Sequence, residues 1–289
     1  MSAAERATVI QLLKLTVASD LQTRERTMTS PASACEHIDI EQREQILYLR
    51  FNRPERKNAL SRAMYSALAD AIVSGNQDSE IRVLVLSGQG ADFTSGNDLL
   101  DFMDEPHIAE QHPAVRFMRA LQGADKPVIA SVRGAAIGIG TTMLLHCDLI
   151  YAADSARLQL PFVNLGLCPE YAASYLLPRL VGTARANELL LLGEALTAQQ
   201  ALAYGMINAV VAEDRLDSFV AERAQHLVKQ PPAAVRRTKA LLKRALQAPI
   251  EMALTAELAA LAEGLQSAEC KEAVSTFFDK RTPDFSRFS

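Results

Sequence analysis

Two runs of β-branched and aliphatic residues, Ile81–Leu86 and Val128–Val132, each lead into a loop that carries glycine. The first loop reads Phe93-Thr94-Ser95-Gly96-Asn97-Asp98, the second Arg133-Gly134-Ala135-Ala136-Ile137-Gly138-Ile139-Gly140. A strand that ends in glycine lets the backbone turn sharply and leaves its N–H groups facing a ligand. Two such loops brought together would grip one developing negative oxygen, as an oxyanion hole does. The catalytic idea is therefore carried by backbone rather than by side chains.

The surrounding pattern is α/β. Ile46–Phe51 is strand-like and is ended by Asn52-Arg53-Pro54. Ser61 is placed to N-cap a helix over Arg62–Ser74, in which Met64, Leu68 and Ile72 recur at four-residue spacing. Asp101–Gln111 is acidic and irregular, the pattern of a flexible segment over a site. Thr141–His146 reads as a helix and Asp148–Ala152 as a strand. From Tyr171 onward the helical period dominates, over Ala172–Leu177, Ala184–Leu192, Ala198–Tyr204, Arg215–Val228, Ala233–Leu246, Glu251–Leu265 and Lys271–Phe278, with Ile207–Val211 as a strand between. Pro231-Pro232 marks the start of a C-terminal helical part. The expected division is an N-terminal extension over 1–33, a core over 34–230 and a helical region over 231–289. Within the extension, Val9–Val17 is spaced as a short amphipathic helix, and Met28-Thr29-Ser30-Pro31 resembles a fresh start. A dispensable extension or an over-called start codon is the simpler reading, and Glu5, Asp20 and Glu25 argue against a transit peptide.

Composition excludes several function classes. A net charge of −4 in a chain with 22% charged residues gives no reason to expect nucleic acid or an anionic membrane surface as partner. No apolar run reaches the roughly 18–20 residues needed to cross a bilayer. Cys35, Cys147, Cys168 and Cys270 are scattered without C-x-x-C spacing, so they read as reduced thiols of a cytoplasmic protein. The five histidines form no zinc-ligand pattern, and no metal is expected.

The motifs, taken in order, resemble the crotonase (enoyl-CoA hydratase/isomerase) superfamily. They are Asn52-Arg53-Pro54-Glu55-Arg56-Lys57-Asn58-Ala59-Leu60, Phe93–Leu99, Lys126–Ala130 running into Gly134–Gly140, Cys147–Ala152, Leu196–Ala201 running into Gly205-Met206-Ile207, and Phe277-Phe278-Asp279-Lys280-Arg281. The resemblance covers roughly residues 36–285. It implies a spiral of ββα turns whose C-terminal helices build homotrimers, often paired into hexamers. It also implies an acyl-CoA thioester as substrate, coenzyme A entering as part of that substrate and no separate cofactor. By resemblance the N–H groups of Asn97 and Ile139 form the hole, where the family often has a small residue and a glycine. Ala59, Ser95, Gly96, Asp98, Leu99, Gly138 and Phe162 would then border the substrate. Lys57 corresponds to the family's nucleotide-contact segment, a solvated lysine being the alternative. Lys280, with Phe277, corresponds to the pair that reaches the CoA adenine, often across a subunit boundary.

The hole makes the thioester acidic at Cα by stabilising the enolate. In the hydratase branch two glutamates direct water to the double bond. Their positions fall here at Thr142 and Phe162, neither of which is an acid or base. In Leu167-Cys168-Pro169-Glu170-Tyr171, Glu170 follows a proline and is read as opening a helix, whose dipole would stabilise its carboxylate. That stretch, continuing to Pro178-Arg179, resembles the Δ3,Δ2-enoyl-CoA isomerase branch, in which a glutamate at this point is the base. Phe162, Leu165 and Leu167 would exclude water and raise its pKa. Asp98 is expected to fix its own loop through backbone N–H groups. Asp101, Asp104 and Glu105 are read as solvated, with entry into the pocket on closure as the other possibility. The resulting expectation is an isomerase moving a double bond from position 3 to position 2. The competing readings are a hydratase-like enzyme using another acid and a non-catalytic acyl-CoA-binding protein.

Overall fold

The computed structural model describes residues 35–104 and 110–288, residues 102–104 by their backbone alone. The expectations for the N-terminal extension, for Glu105 and for the Asp104 side chain lie outside the described residues. A six-stranded sheet is built from β1 (Ile38–Arg43), β2 (Ile46–Phe51), β3 (Val83–Gly88), β4 (Val128–Val132), β6 (Leu149–Ala153) and β9 (Ala209–Val211), in the order β1-β2-β3-β4-β6-β9. β1 and β2 pair antiparallel, and every later neighbour is parallel. A smaller sheet joins β5 (Ala135–Ile137), β7 (Arg157–Gln159) and β8 (Leu196–Thr197).

The continuous apolar runs of β3 and β4 follow from burial on both faces, as parallel sheets require. Leu84, Leu86, Val128 and Ala130 face the main core, where α1 (Arg62–Gln77) brings Met64, Leu68 and Ile72, the predicted four-residue stripe. Val83, Val85 and Ile129 face the opposite side, covered by Leu216, Val220, Ala224 and Val228 of a helix over Leu216–Val228. Ser61 N-caps α1 as expected, accepting from Met64 N.

The remaining helices are α2 (Leu99–Asp104), α3 (Pro113–Gln122), α4 (Ile139–Thr142), α5 (Ala173–Val181), α6 (Thr183–Leu192), α7 (Ala198–Ala203), α8 (the Leu216–Val228 helix), α9 (Pro232–Arg244), α10 (Gln247–Gln266) and α11 (Ala268–Asp279). Several differ from expectation. Asp101–Asp104, the start of the segment Asp101–Gln111 read as irregular, is the helical end of α2. The helix expected over Thr141–His146 divides into α4 and a 3-10 turn over Met143–His146. α3 was not anticipated, although His112 caps it and Pro113 occupies its first turn, an ordinary start signal. β5, β7 and β8 are too short to show a sequence period. Among the described residues no helix is long and apolar enough to cross a membrane.

Candidate active site

The two glycine loops meet through main-chain hydrogen bonds. Thr94 N donates to Ala135 O at 2.8 Å and Ile137 N to Thr94 O at 3.0 Å. On its other edge the first loop pairs with Leu60, which donates to Gly96 O at 2.8 Å and accepts from Asp98 N at 3.0 Å. In extended backbone successive N–H groups alternate in direction. The N–H of Asn97 therefore points away from Leu60. Ile139 is the first residue of α4, and a helix offers no internal acceptor to its first N–H groups. Neither the Asn97 nor the Ile139 N–H has a hydrogen-bond acceptor among the described residues, and both residues line one cleft of about 710 Å³.

Glycine is required at two points of this junction for different reasons. Gly96 has φ 91°, and a Cβ there would lie 2.7 Å from Ile137 O, so the two loops could not approach. Gly138 has φ 56° and ψ −119°, while a Cβ would meet nothing within 4 Å. There the backbone conformation, not space, calls for glycine. Further support comes from side chains. Tyr65, buried on α1, donates its Oη to Asn97 Oδ1 at 2.5 Å. Asp98 accepts from Arg53 Nη1 at 2.7 Å, Leu100 N at 3.2 Å and Asp101 N at 3.4 Å, the loop-fixing pattern expected of it. Burial opposes ionisation of Asp98, but the Arg53 hydrogen bond and charge and the two N–H groups outweigh it and hold the carboxyl below its ordinary range.

Glu170 lies in the same cleft and is 2% exposed. Its Oε1 accepts from Thr142 Oγ1 at 2.5 Å, and its buried Oε2 has no partner among the described residues. Burial pushes its pKa up to about 8; the Thr142 hydrogen bond works against that rise and the negative Glu257 adds to it. The expectation that Glu170 opens a helix is corrected by the backbone. Tyr171 (φ 62°) and Ala172 (φ 58°) are both left-handed, and α5 starts only at Ala173. The dipole at that helix end is used by a different acid. Glu257 of α10 accepts from Ala172 N at 2.5 Å and from Ser174 N at 2.8 Å. Non-glycine residues in this region cost about 1 kcal/mol or more each, so the turn persists because its surroundings hold it. Tyr171 is fully buried, stacks on His146 at 3.7 Å between centroids, and donates its Oη to Met118 O at 2.8 Å.

The cleft also brings together Lys57, Ala59, Ser95, Gly96, Asp98, Leu99, Gly138, Phe162 and Phe277. Leu165 and Leu167 line it as the anticipated apolar wall, and Leu100 borders it. Lys280 does not line it. That residue C-caps α11 with φ 53°, and the resulting chain reversal brings Arg281 to the cleft instead. Asp101 is likewise not a lining residue, since its carboxylate accepts from Arg62 N at 2.5 Å and Arg62 Nε at 3.2 Å. Arg56, Gln159, Asn164, Leu261, Ala273 and Thr276 line the cleft without having been singled out. Tyr65, the hydrogen-bonding role of Thr142, and Glu257 were missed as well. For Glu257 a signal exists: it sits on the buried stripe of α10 between Leu254 and Leu261, where an acid breaks the apolar pattern.

Known proteins resemble this chain in sequence and in fold. The family described as enoyl-CoA hydratase/isomerase matches residues 41–287. The 1,2-epoxyphenylacetyl-CoA isomerase of Escherichia coli (strain K12) is 35% identical over 83% of this chain and 94% of its own length. Enoyl-CoA delta isomerase 2 of Homo sapiens is 33% identical over 82% of this chain, and the match spans 62% of that protein. Hydratase names occur among the relatives too. Among solved structures, OdaA of Pseudomonas aeruginosa superposes with a TM-score of 0.83 at 42% identity, covering 84% of this chain and 99% of its own. With a matched family spanning most of its length and a shared fold, the chain belongs to the enoyl-CoA hydratase/isomerase family of acyl-CoA enzymes, with the crotonase fold.

Proposed function

We propose that this enzyme moves the double bond of a 3-enoyl-CoA to position 2, with Glu170 as the base. The observation that carries this reading is the contrast between the two carboxylates among the described cleft-lining residues. Asp98 is held ionised by Arg53 and two N–H groups, so it is a poor proton carrier. Glu170 has one oxygen free of partners and a pKa raised to about 8, near the working range of a general base. Thr142, where a hydratase of this family would carry a glutamate, only donates a hydrogen bond to it.

The thioester oxygen would accept from the N–H groups of Asn97 and Ile139. Glu170 would then remove the C2 proton, which is acidic because it is both allylic and α to the thioester. The resulting dienolate holds its negative charge on the oxygen in the hole. The same carboxyl returns the proton at C4, which leaves the double bond at position 2 and the base regenerated. An oxyanion donor of this kind contributes about 3–4 kcal/mol to a transition state. Phe162, Leu165 and Leu167 keep water from competing for the dienolate. At the rim, Arg56, Lys57 and Arg281 offer cations to the CoA phosphates. Exposed Leu241, Leu242 and Met252 on the C-terminal helices support assembly into a homotrimer or hexamer.

Turnover of 3-enoyl-CoA by the wild-type protein and by Glu170→Gln tests the reading. Equal isomerisation by both removes Glu170 from the mechanism. Hydration of crotonyl-CoA at rates above isomerisation favours a hydratase-like enzyme instead, and binding of CoA esters without any turnover favours a binding protein.

A further inference from the structure

We infer that Glu257, on a C-terminal helix, is a positioning residue for the reaction at Glu170: its carboxylate holds the left-handed Tyr171–Ala172 turn that keeps the Glu170 side chain in the cleft. This inference rests on the reading of Glu170 as the base. The geometry supports it from both sides of Glu170. After it, Glu257 accepts from Ala172 N at 2.5 Å and Ser174 N at 2.8 Å. Before it, the Cys168 thiol lies 3.8 Å from Glu257 O, and Leu167 packs against Gly264 of the same helix, where a Cβ would come within 3.3 Å of Leu167 Cδ2. One helix thus clamps the segment at both ends.

The clamp has a reason to exist. Two successive non-glycine residues in the left-handed region do not stay there unaided, and a buried carboxyl with an unpartnered oxygen favours any motion that lets it reach water. Glu257 opposes both tendencies. It is itself 6% exposed and satisfies its oxygens on main-chain N–H groups, so no other stabilising role for a buried acid on an apolar stripe is needed. The titratable groups that share the field of Glu170 are Tyr65 from α1, Cys168 and Tyr171 on its own segment, and Glu257 from α10. Of these, Glu257 is the carboxyl that raises the Glu170 pKa, and burial, only partly offset by its main-chain hydrogen bonds, raises its own.

Two variants and two readouts decide it. Glu257→Gln replaces one acceptor oxygen by an amide and removes the charge. Ala172→Gly combined with Glu257→Gln adds a residue for which the left-handed backbone carries no side-chain penalty, which guards against simple failure to fold. The first readout is kinetic: kcat on 3-enoyl-CoA falls by about a hundredfold with KM within about twofold, and the ascending limb of the pH–rate profile moves to lower pH. The second needs no turnover: the 13C signal of the Glu170 carboxyl, assigned through Glu170→Gln, titrates at lower pH in the variants than in wild type. A folded variant that keeps the wild-type kcat and Glu170 titration overturns the inference. A wild-type protein without isomerase activity sinks the base reading instead, and a Glu170 titration that does not move in Glu257→Gln still overturns the positioning role.

Discussion

Thr142 donates its hydroxyl to Glu170 Oε1 at 2.5 Å, while Glu170 Oε2 lies buried without a partner among the described residues. A position that could have held a second carboxylate instead tunes the first. The hydroxyl stabilises the ionised form, burial destabilises it, and burial wins, leaving the pKa at about 8. In the proposed reaction the free oxygen is the one that would take the substrate proton.

Removing the carboxylate should separate activity from stability. Glu170→Gln is expected to lower kcat about 10²–10⁴-fold, the usual worth of a general base. It should also stabilise the fold, and more so at high pH. The unfolded chain releases this proton near the ordinary value of 4.5 and the folded chain only near 8. Between those values the native state binds more protons, so wild-type stability falls as pH rises. Thermal unfolding at pH 5 and pH 8 should show the variant gaining several degrees at pH 8 and little at pH 5.

Activity should follow the same titration with the opposite sign. The base must be ionised, so kcat/KM on 3-enoyl-CoA should climb through about pH 8. Thr142→Val removes the hydrogen bond that favours the carboxylate and should shift that limb upward by about one unit. A pH–rate profile that stays in place would show that the hydroxyl does not act on Glu170.

The two glycines of the hole should fail differently when given a side chain. Gly96→Ala forces a Cβ to 2.7 Å from Ile137 O, so the loops separate and both stability and turnover fall. Gly138→Ala meets no neighbour within 4 Å, and its penalty is confined to the backbone that presents Ile139 N–H. We expect a loss of about 10²–10³ in kcat for Gly138→Ala, with a smaller drop in melting temperature than for Gly96→Ala. Paired melting curves and steady-state kinetics distinguish the two.

Tyr65→Phe should loosen the first loop without altering the cleft lining. It deletes the donor to Asn97 Oδ1 and costs about 1 kcal/mol of stability. The expected kinetic effect is a few-fold fall in kcat/KM, measured against an unchanged response to Glu170→Gln.

Much of this protein was legible in the linear chain. β3 and β4 announce themselves as apolar runs because they are buried on both sides of a parallel sheet, and Ser61 with the Met64, Leu68, Ile72 stripe marks α1. These are local properties, set by a residue's own backbone preference and its near neighbours. The proposed hole belongs with them, since Gly96 and Gly138 declare the backbone that leaves the Asn97 and Ile139 N–H groups without acceptors among the described residues. Glu170 was identifiable as the candidate acid, yet its state was not. The reading of a helix-opening carboxylate stabilised by a dipole failed because Glu257, which claims that dipole, lies 85 residues from Ala172 in the chain. Tyr65 reaches Asn97 across 32 residues, and Thr142 reaches Glu170 across 28. Burial, and with it a pKa near 8, exists only once distant segments pack around the carboxyl. Sequence determines which groups are available and where the backbone can turn. Tertiary structure decides which of those groups lose their water and which partners replace it, because desolvation and long-range hydrogen bonds depend on where distant segments come to rest.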